Sequence, residues 1–158
     1  MTRALDPLLE TISQGQMVNL HIVDIENLAG TGLLTTPKVK EISDVYELST
    51  LASSNDVFIL AAGPQNKHAL FDGWKVGHPI FQFRKGKDGA DNALVSLFSQ
   101  IEHPEKFNRV FLGTGDGGLV AIAESARRFG VHLTVVTGEG GRSRAYSRYK
   151  TLSLRKVY

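Results

Sequence analysis

The sequence predicts an α/β fold, a three-layer sandwich in which helices cover both faces of a central, mostly parallel sheet of about five strands. Short apolar runs alternate along the chain with segments whose apolar residues recur at helical spacing. The continuous apolar run VFILAA at 57–62 is typical of a strand that is buried on both faces. The chain has 158 residues, 42% of them hydrophobic, which is enough for one domain with its own core.

The first half of the chain predicts three strands and two helices. Residues 18–24 alternate in polarity and end in an acid, which indicates a buried strand with a carboxylate at its tip. The glycine-containing segment 25–36 is predicted to be a loop. A helix is expected from Pro37, because proline suits a first helical turn and apolar residues follow at helical spacing. The remaining elements of this half are strands at 57–62 and 79–83 and a helix over about 65–75.

The second half continues the alternation. A helix over about 90–101 has its apolar residues on one face, and a helix over about 119–129 is followed by Gly130, a typical helix stop. The fourth and fifth strands are predicted at 109–113 and 131–137. A loop, a short helix near 142–150 and an additional edge strand are expected after them.

The composition excludes several kinds of site. There is no cysteine, so disulfides, thiolate metal sites and cysteine nucleophiles are all excluded. Neither a signal-peptide-length apolar run at the start nor a run of about 20 apolar residues occurs, so we expect a cytoplasmic protein with no membrane partner. We expect one domain over 1–158, with a core at about 17–137 and a basic segment at 138–158.

The charge of the chain is unevenly distributed. The formal net charge is only +2, but no acidic residue follows Glu139. Basic residues continue to the end of the chain, at Arg142, Arg144, Arg148, Lys150, Arg155 and Lys156. This pattern predicts a polyanionic partner, most often nucleic acid.

Three aspartates follow the predicted strands. Asp24 ends the first strand, Asp91 begins the helix after the third, and Asp116 lies in the turn after the fourth. Ligands of an open parallel sheet bind beyond the carboxyl ends of its strands, so the three acids should meet at one edge. Because like charges repel, such a group predicts a compensating hard divalent cation, Mg²⁺ or Mn²⁺. Taken singly, each aspartate has an ordinary structural role as a helix cap or turn residue.

The residues around these acids resemble known motifs. Residues 23–28 (VDIENL), 87–94 (KDGADNAL) and 112–118 (LGTGDGG) are similar, in order and context, to the three motifs of the NYN branch of PIN-like nucleases. The resemblance covers about 17–137. It implies a PIN-like domain that hydrolyses RNA, with Asp24, Asp91 and Asp116 as ligands of Mg²⁺ or Mn²⁺. It further implies that Asn27 positions a metal-bound water or a phosphate.

The chain departs from the family pattern at one position. Many members carry a second acid two residues after the third-motif aspartate, where this chain has Gly118. Glu26 or Asp88 could supply a fourth ligand. The departure leaves a second interpretation open, a degenerate PIN-like domain that binds RNA or a protein partner without cleaving RNA.

Basic and aromatic residues are candidates for contacts with single-stranded RNA. Lysine and arginine contacts to phosphates confer affinity without sequence choice. The candidates near the acids are Arg84, Lys85, Lys87, Arg142 and Arg144. Trp74, Phe71 and Tyr146 are candidates for base stacking, although packing of a helix on the sheet explains Trp74 and Phe71 better.

A dinucleotide site is the third interpretation. Residues 113–118 (GTGDGG) match the pattern G-x-G-x-x-G, and Glu139 lies about twenty residues further on, where a ribose-binding acid is expected. The motif follows the fourth strand rather than the first, and Asp116 would repel a pyrophosphate, which disfavours this site. A homodimer and an antitoxin-like protein partner also remain open.

Overall fold

The computed structural model describes residues 17–86 and 89–154, and it has a six-stranded sheet that is parallel throughout. The strands are β1 (Leu20–Asp24), β2 (Val57–Ala62), β3 (His78–Phe83), β4 (Val110–Gly113), β5 (Leu133–Thr137) and β6 (Lys150–Ser153). Their order across the sheet is β3-β2-β1-β4-β5-β6. The predicted α/β fold is confirmed; the sheet has six strands rather than about five, and β6 is the additional edge strand expected after the fifth.

Helices cover both faces of the sheet, as the long apolar runs predict. They are α1 (Ile25–Ala29), α2 (Thr36–Thr50), α3 (Lys67–Gly73), α4 (Gly89–Ser99) and α5 (Val120–Arg128). One core cluster packs α4 and α5 against residues such as Ile22 of β1, and the other packs α1, α2 and α3 against residues such as Val23. Successive residues of β1 therefore face opposite cores, which is the geometry of a strand buried on both faces.

The local structure differs from the sequence-based expectation in two places. The segment 25–36 is not wholly a loop, because α1 begins directly after Asp24 and ends at Gly30, whose φ of 73° is left-handed. The helix expected near 142–150 is wrong, since only a 3₁₀ turn forms at Arg144–Tyr146. β6 then pairs in parallel with β5, and the crossover between them is held by contacts distant in sequence, such as the bond from Ser143 N–H to the Gly115 carbonyl.

The order of the strands reverses between β1 and β4. β1 pairs with β2 on one side and with β4 on the other, and Val23 lies opposite both Leu60 and Gly113. The loops that follow β1 and β4 consequently diverge from one crevice at the carboxyl edge of the sheet, the usual place for a ligand in this architecture. Among the helices of the described residues, none is long and apolar enough to cross a membrane.

A buried polar network lies away from that edge, near the amino ends of β1 and β2. His21 is fully buried and stacks between the rings of Phe58 and Phe111, with ring centroids 4.4 and 4.8 Å away. Its Nε2 lies 2.9 Å from Asp56 Oδ2 and its Nδ1 2.8 Å from the Tyr46 hydroxyl. Burial lowers the pKa of His21, so the imidazole is neutral, donating from Nε2 to Asp56 and accepting from Tyr46.

Candidate metal centre

Asp24 stands at the junction of β1 and α1. Its Oδ1 accepts the N–H of Asn27 at 3.2 Å and so caps α1, while the side chain remains buried. Burial raises the pKa of Asp24 to about 6; the hydrogen bond from Asn27 opposes this rise, and the nearby charges of Glu26 and Asp116 add to it. A carboxyl group held in this way costs free energy when it ionises, and a cation would offset that cost.

Asp91 and Asp116 come from the segments that follow β3 and β4. Asp91 lies in the first turn of α4 and is buried. Asp116 follows β4 and is exposed; its Oδ1 accepts the N–H of Gly118 at 3.1 Å, and its own N–H donates to the Thr114 hydroxyl. The parallel sheet explains both positions, because the segment that carries Asp91 and the segment that carries Asp116 each follow the carboxyl end of a strand.

The three acids form one cluster. Each offers a carboxylate oxygen, and these oxygens all lie within 4.8 Å of one another. The prediction that Asp24, Asp91 and Asp116 meet at one edge of the sheet is therefore confirmed. Neighbouring oxygens around an octahedral Mg²⁺ ion are about 3 Å apart, given bonds of about 2.1 Å, so each carboxylate oxygen would move inward by about 1 Å to bind one ion.

The cluster opens into a cavity of about 830 Å³. Its wall includes the three aspartates, and also Glu26, Arg84 and Lys85. Arg84 and Lys85 are exposed side chains on the loop after β3. Acids at the base and cations at the rim can bind a metal ion and the phosphates beside it.

Asn27 joins α1 to the loops that follow β4 and β5. Its side-chain oxygen accepts the N–H of Gly115 at 2.6 Å, and its backbone carbonyl accepts the N–H of Gly140 at 3.1 Å. The oxygen that the resemblance assigns to a water or a phosphate is thus occupied by the loop after β4. Asn27 lines the cavity, but its contacts are those of a residue that positions the turn carrying Asp116.

Glu26 does not join the cluster. Its Oε2 accepts the N–H of Gly63 at 2.6 Å and the amide of Asn66 at 2.8 Å, which ties α1 to the loop after β2. Asp88, the other candidate for a fourth ligand, lies outside the described residues, as does Lys87.

Gly118 is glycine because the carboxylate of Asp91 occupies the space beside it. A Cβ atom built at Gly118 would lie 2.1 Å from Asp91 Oδ2 and 2.9 Å from its Cγ. The position where the resemblance leads one to expect a further acid cannot carry any side chain while Asp91 stays in place.

We expect Gly118→Ala to weaken Mn²⁺ binding by about tenfold or more, because the added methyl group displaces a ligand by more than a metal–oxygen bond tolerates. Calorimetric titration with Mn²⁺ measures the change. Gly117→Ala is the matched control, since the nearest atom to its Cβ is the movable Ser143 hydroxyl at 3.1 Å. Equal Mn²⁺ affinities in the two variants would contradict this account of Gly118.

Arg142 and Arg144 lie beside the turn that carries Asp116, but their side chains do not line the cavity. The N–H of Ser143, between them, donates to the carbonyl of Gly115 at 2.6 Å. The guanidinium of Arg142 donates to the Thr151 hydroxyl of β6 at 3.2 Å. Of the basic residues predicted to flank the metal site, the structure places Arg84 and Lys85 at the cavity.

The aromatic candidates pack within the fold rather than lining the cavity. Tyr146 is fully buried and its hydroxyl donates to the backbone carbonyl of Asp116, so its proposed stacking on a base is wrong. No periodic pattern marks this contact, and sequence reasoning missed that Tyr146 supports Asp116. Trp74 is buried, with Nε1 donating to the carbonyl of Val76, whereas Phe71 is half-exposed and packs on Phe81 and Phe83.

The geometry disfavours a dinucleotide at 113–118. The amides that would cradle a pyrophosphate are engaged within the site: Gly115 donates to Asn27, Asp116 to Thr114, and Gly118 to Asp116. Glu139 forms an ion pair with Lys38 at 3.1 Å. Three carboxylates at the mouth of the loop would also repel the phosphates.

Comparison of the chain with protein-family models, with curated proteins and with solved structures finds no match.

Proposed function

We propose that this protein is a ribonuclease that hydrolyses phosphodiester bonds with a divalent metal ion, Mg²⁺ or Mn²⁺, held by Asp24, Asp91 and Asp116. The observation that carries the proposal is the convergence of these three carboxylates, two of them buried, within 4.8 Å. Carboxylate oxygens are the ligands that Mg²⁺ and Mn²⁺ prefer. A metal ion bound there would activate a water molecule and stabilise the leaving oxygen of a phosphodiester.

The protein residues around the cluster support the same chemistry. Arg84 and Lys85 stand at the rim, where they can hold phosphates on either side of the scissile bond. Asn27 and Tyr146 hold the turn of Asp116 from opposite ends, through Gly115 and the carbonyl of Asp116 itself. The backbone of the exposed Asp116 is therefore fixed beside two buried acids, so metal binding would require only a small movement of its side chain.

RNA is the substrate that the residues favour. The resemblance of the three motifs to NYN nucleases points to RNA, and the basic residues after Glu139 point to a polyanion. The substrate class therefore depends on the charge of the chain and on the motifs, whereas the reaction type depends on the acid cluster.

The test is cleavage of labelled single-stranded RNA in Mn²⁺, in Mg²⁺ and in EDTA. We expect cleavage only with a metal ion, and a loss of about 100-fold or more in Asp116→Asn, because metal coordination supplies several kcal/mol to the transition state. Asp44→Asn, a change at an exposed acid on α2, is the matched control and should retain full activity.

Two other outcomes are informative. Cleavage that persists in EDTA, or that Asp116→Asn leaves unchanged, would rule out the proposed site. RNA binding without cleavage in any buffer would favour the degenerate binding domain, for which the closed position at Gly118 is the specific observation.

A further inference from the structure

We propose that a second surface, at the opposite edge of the sheet from the acid cluster, binds the phosphates of the RNA strand away from the scissile bond. We call it the basic basin. It is a cavity of about 630 Å³ whose wall includes Arg127, Arg148, Lys150, Val131, Leu133 and Tyr149. This inference rests on the proposed function for the identity of its ligand.

The basin lies where β5 and β6 begin, whereas the acids lie where β1 and β4 end. Leu133 is the first residue of β5 and Lys150 the first of β6. Strands of four or five residues rise about 3.3 Å per residue, so the two sites are separated by roughly 15 Å along the strands. A ligand that reaches both sites must be a chain rather than a single small molecule.

Within residues 17–86 and 89–154, no acid neutralises the charges of the basin. Arg127, Arg148 and Lys150 are exposed, and none of them takes part in an ion pair with any residue in the described part of the chain. The described residues that line this cavity include no aspartate or glutamate. Three cations around one concave surface repel each other and attract an anion. The low-dielectric protein around the cavity strengthens the positive potential of these cations.

The crossover from β5 to β6 connects the basin to the acid cluster. Its first part is held beside the turn of Asp116, through the bond from Ser143 N–H to the Gly115 carbonyl. Its last residues, Arg148 and Tyr149, line the basin. Exposed basic residues follow one another along it, at Arg142, Arg144 and Arg148, and Lys150 continues the row at the start of β6. Cations repeated along a path match the repeated phosphates of a nucleic-acid strand.

The floor of the basin also suits a nucleic acid better than an acidic peptide. Tyr149 and Leu133 are partly exposed and pack against the core cluster on this face. An aromatic ring among cations is the usual surface for unpaired bases, which stack while their phosphates are held. The inferred ligand is therefore single-stranded RNA long enough to run from the acid cluster to the basin.

The test is the affinity of labelled single-stranded RNA, measured by fluorescence anisotropy in EDTA over a series of salt concentrations. The double variant Arg148→Glu with Lys150→Glu should bind about tenfold or more weakly. The slope of log affinity against log salt should fall by about 1.4, since each lost phosphate contact on a single strand removes about 0.7. Arg127→Ala, on α5 rather than in the sheet, should weaken binding in the same direction.

Lys40→Glu with Lys75→Glu is the matched control. Both lysines are exposed and lie outside the basin. Their substitution changes the net charge by the same amount as Arg148→Glu with Lys150→Glu. This control should bind RNA within about twofold of the unmodified protein. If it weakens binding as much as the basin variants do, or if the basin variants bind normally, the basin is not an RNA site.

Cleavage measurements separate this inference from the proposed function. Loss of cleavage in Asp116→Asn together with normal RNA binding by the basin variants would overturn the basin and leave the nuclease intact. Weaker binding by the basin variants in a protein that never cleaves RNA would support the basin and reject the nuclease. If both hold, the basin variants should raise KM for long RNA and leave kcat unchanged.

Discussion

Asn in place of Asp24 should stabilise the metal-free protein at neutral pH while slowing RNA cleavage by about 100-fold or more. The two effects have one cause, the burial of a carboxyl group that must ionise to bind a cation. Asn keeps the shape and can still accept the N–H of Asn27 as the cap of α1. It loses one negative ligand, whose interaction with the metal ion contributes several kcal/mol to the transition state.

The sign of the stability change follows from the pKa of Asp24. Burial raises that pKa from 3.8 to about 6 in the folded protein. Below the unfolded pKa the carboxyl group is protonated in both states, so the raised pKa does not lower the free energy of unfolding. As the pH rises through the folded pKa, the buried group ionises and stability is lost. The raised pKa of Asp24 therefore costs about 3 kcal/mol at pH 7.5 and about half of that at pH 5, so the advantage of Asp24→Asn should grow with pH.

Urea unfolding of both proteins in EDTA, at pH 5 and at pH 7.5, measures this change. Asp116→Asn is the matched control, because the exposed Asp116 side chain should change the free energy of unfolding much less while cleavage is still lost. An Asp24→Asn variant that is less stable than the unmodified protein at pH 7.5 would show that the carboxylate of Asp24 serves the fold rather than a cation.

Asp56→Ala should lower the free energy of unfolding by about 3 kcal/mol or more, because each buried donor left without a partner costs about 1–3 kcal/mol. Asp56 is 3% exposed and accepts four hydrogen bonds. Its donors are His21, Asn19 through both backbone and side chain, and the backbone of Ser53. The substitution leaves these donors unsatisfied and removes the partner of an imidazole stacked between two aromatic rings.

The pH dependence of this network opposes that of Asp24. Burial would raise the pKa of Asp56, but its hydrogen bonds outweigh that effect and leave the pKa below its ordinary value. A carboxyl group with a lowered pKa stabilises the folded protein at any pH above its unfolded pKa. That stability is lost as the pH falls through the folded pKa. His21 is held neutral, so protonation of its unfolded form below about 6.5 also favours unfolding.

The Asp56 variant can be tested without reference to function. Its unfolding in urea at pH 7 should be compared with that of Asp44→Ala, a change at an exposed acid on α2 that should cost less than about 0.5 kcal/mol. Metal affinity should survive in the folded fraction, because Asp56 lies at the end of the strands remote from the acids. A loss below about 1 kcal/mol would mean that the network contributes little to the fold.

Most strands and helices could be predicted from local patterns. The run 57–62 is β2 without change of bounds, because a strand buried on both faces must be apolar at every position. The convergence of Asp24, Asp91 and Asp116 could also be predicted, because all strands of a parallel sheet end at the same edge. Prediction failed in the crossover to β6, where contacts distant in sequence outweigh local helix preference.

The sequence by itself therefore determined the fold class, the edge where the site forms and the acids that form it. Only the tertiary structure decided what each neighbouring group does. Asn27 bonds to Gly115, 88 residues away, and Glu26 to Asn66, 40 residues away. The carboxylate of Asp91 fills the space beside Gly118. These contacts depend on the placement of β1 between β2 and β4. The sequence does not predict them, because periodicity along a chain indicates which face of an element a residue occupies but not which strand lies beside it.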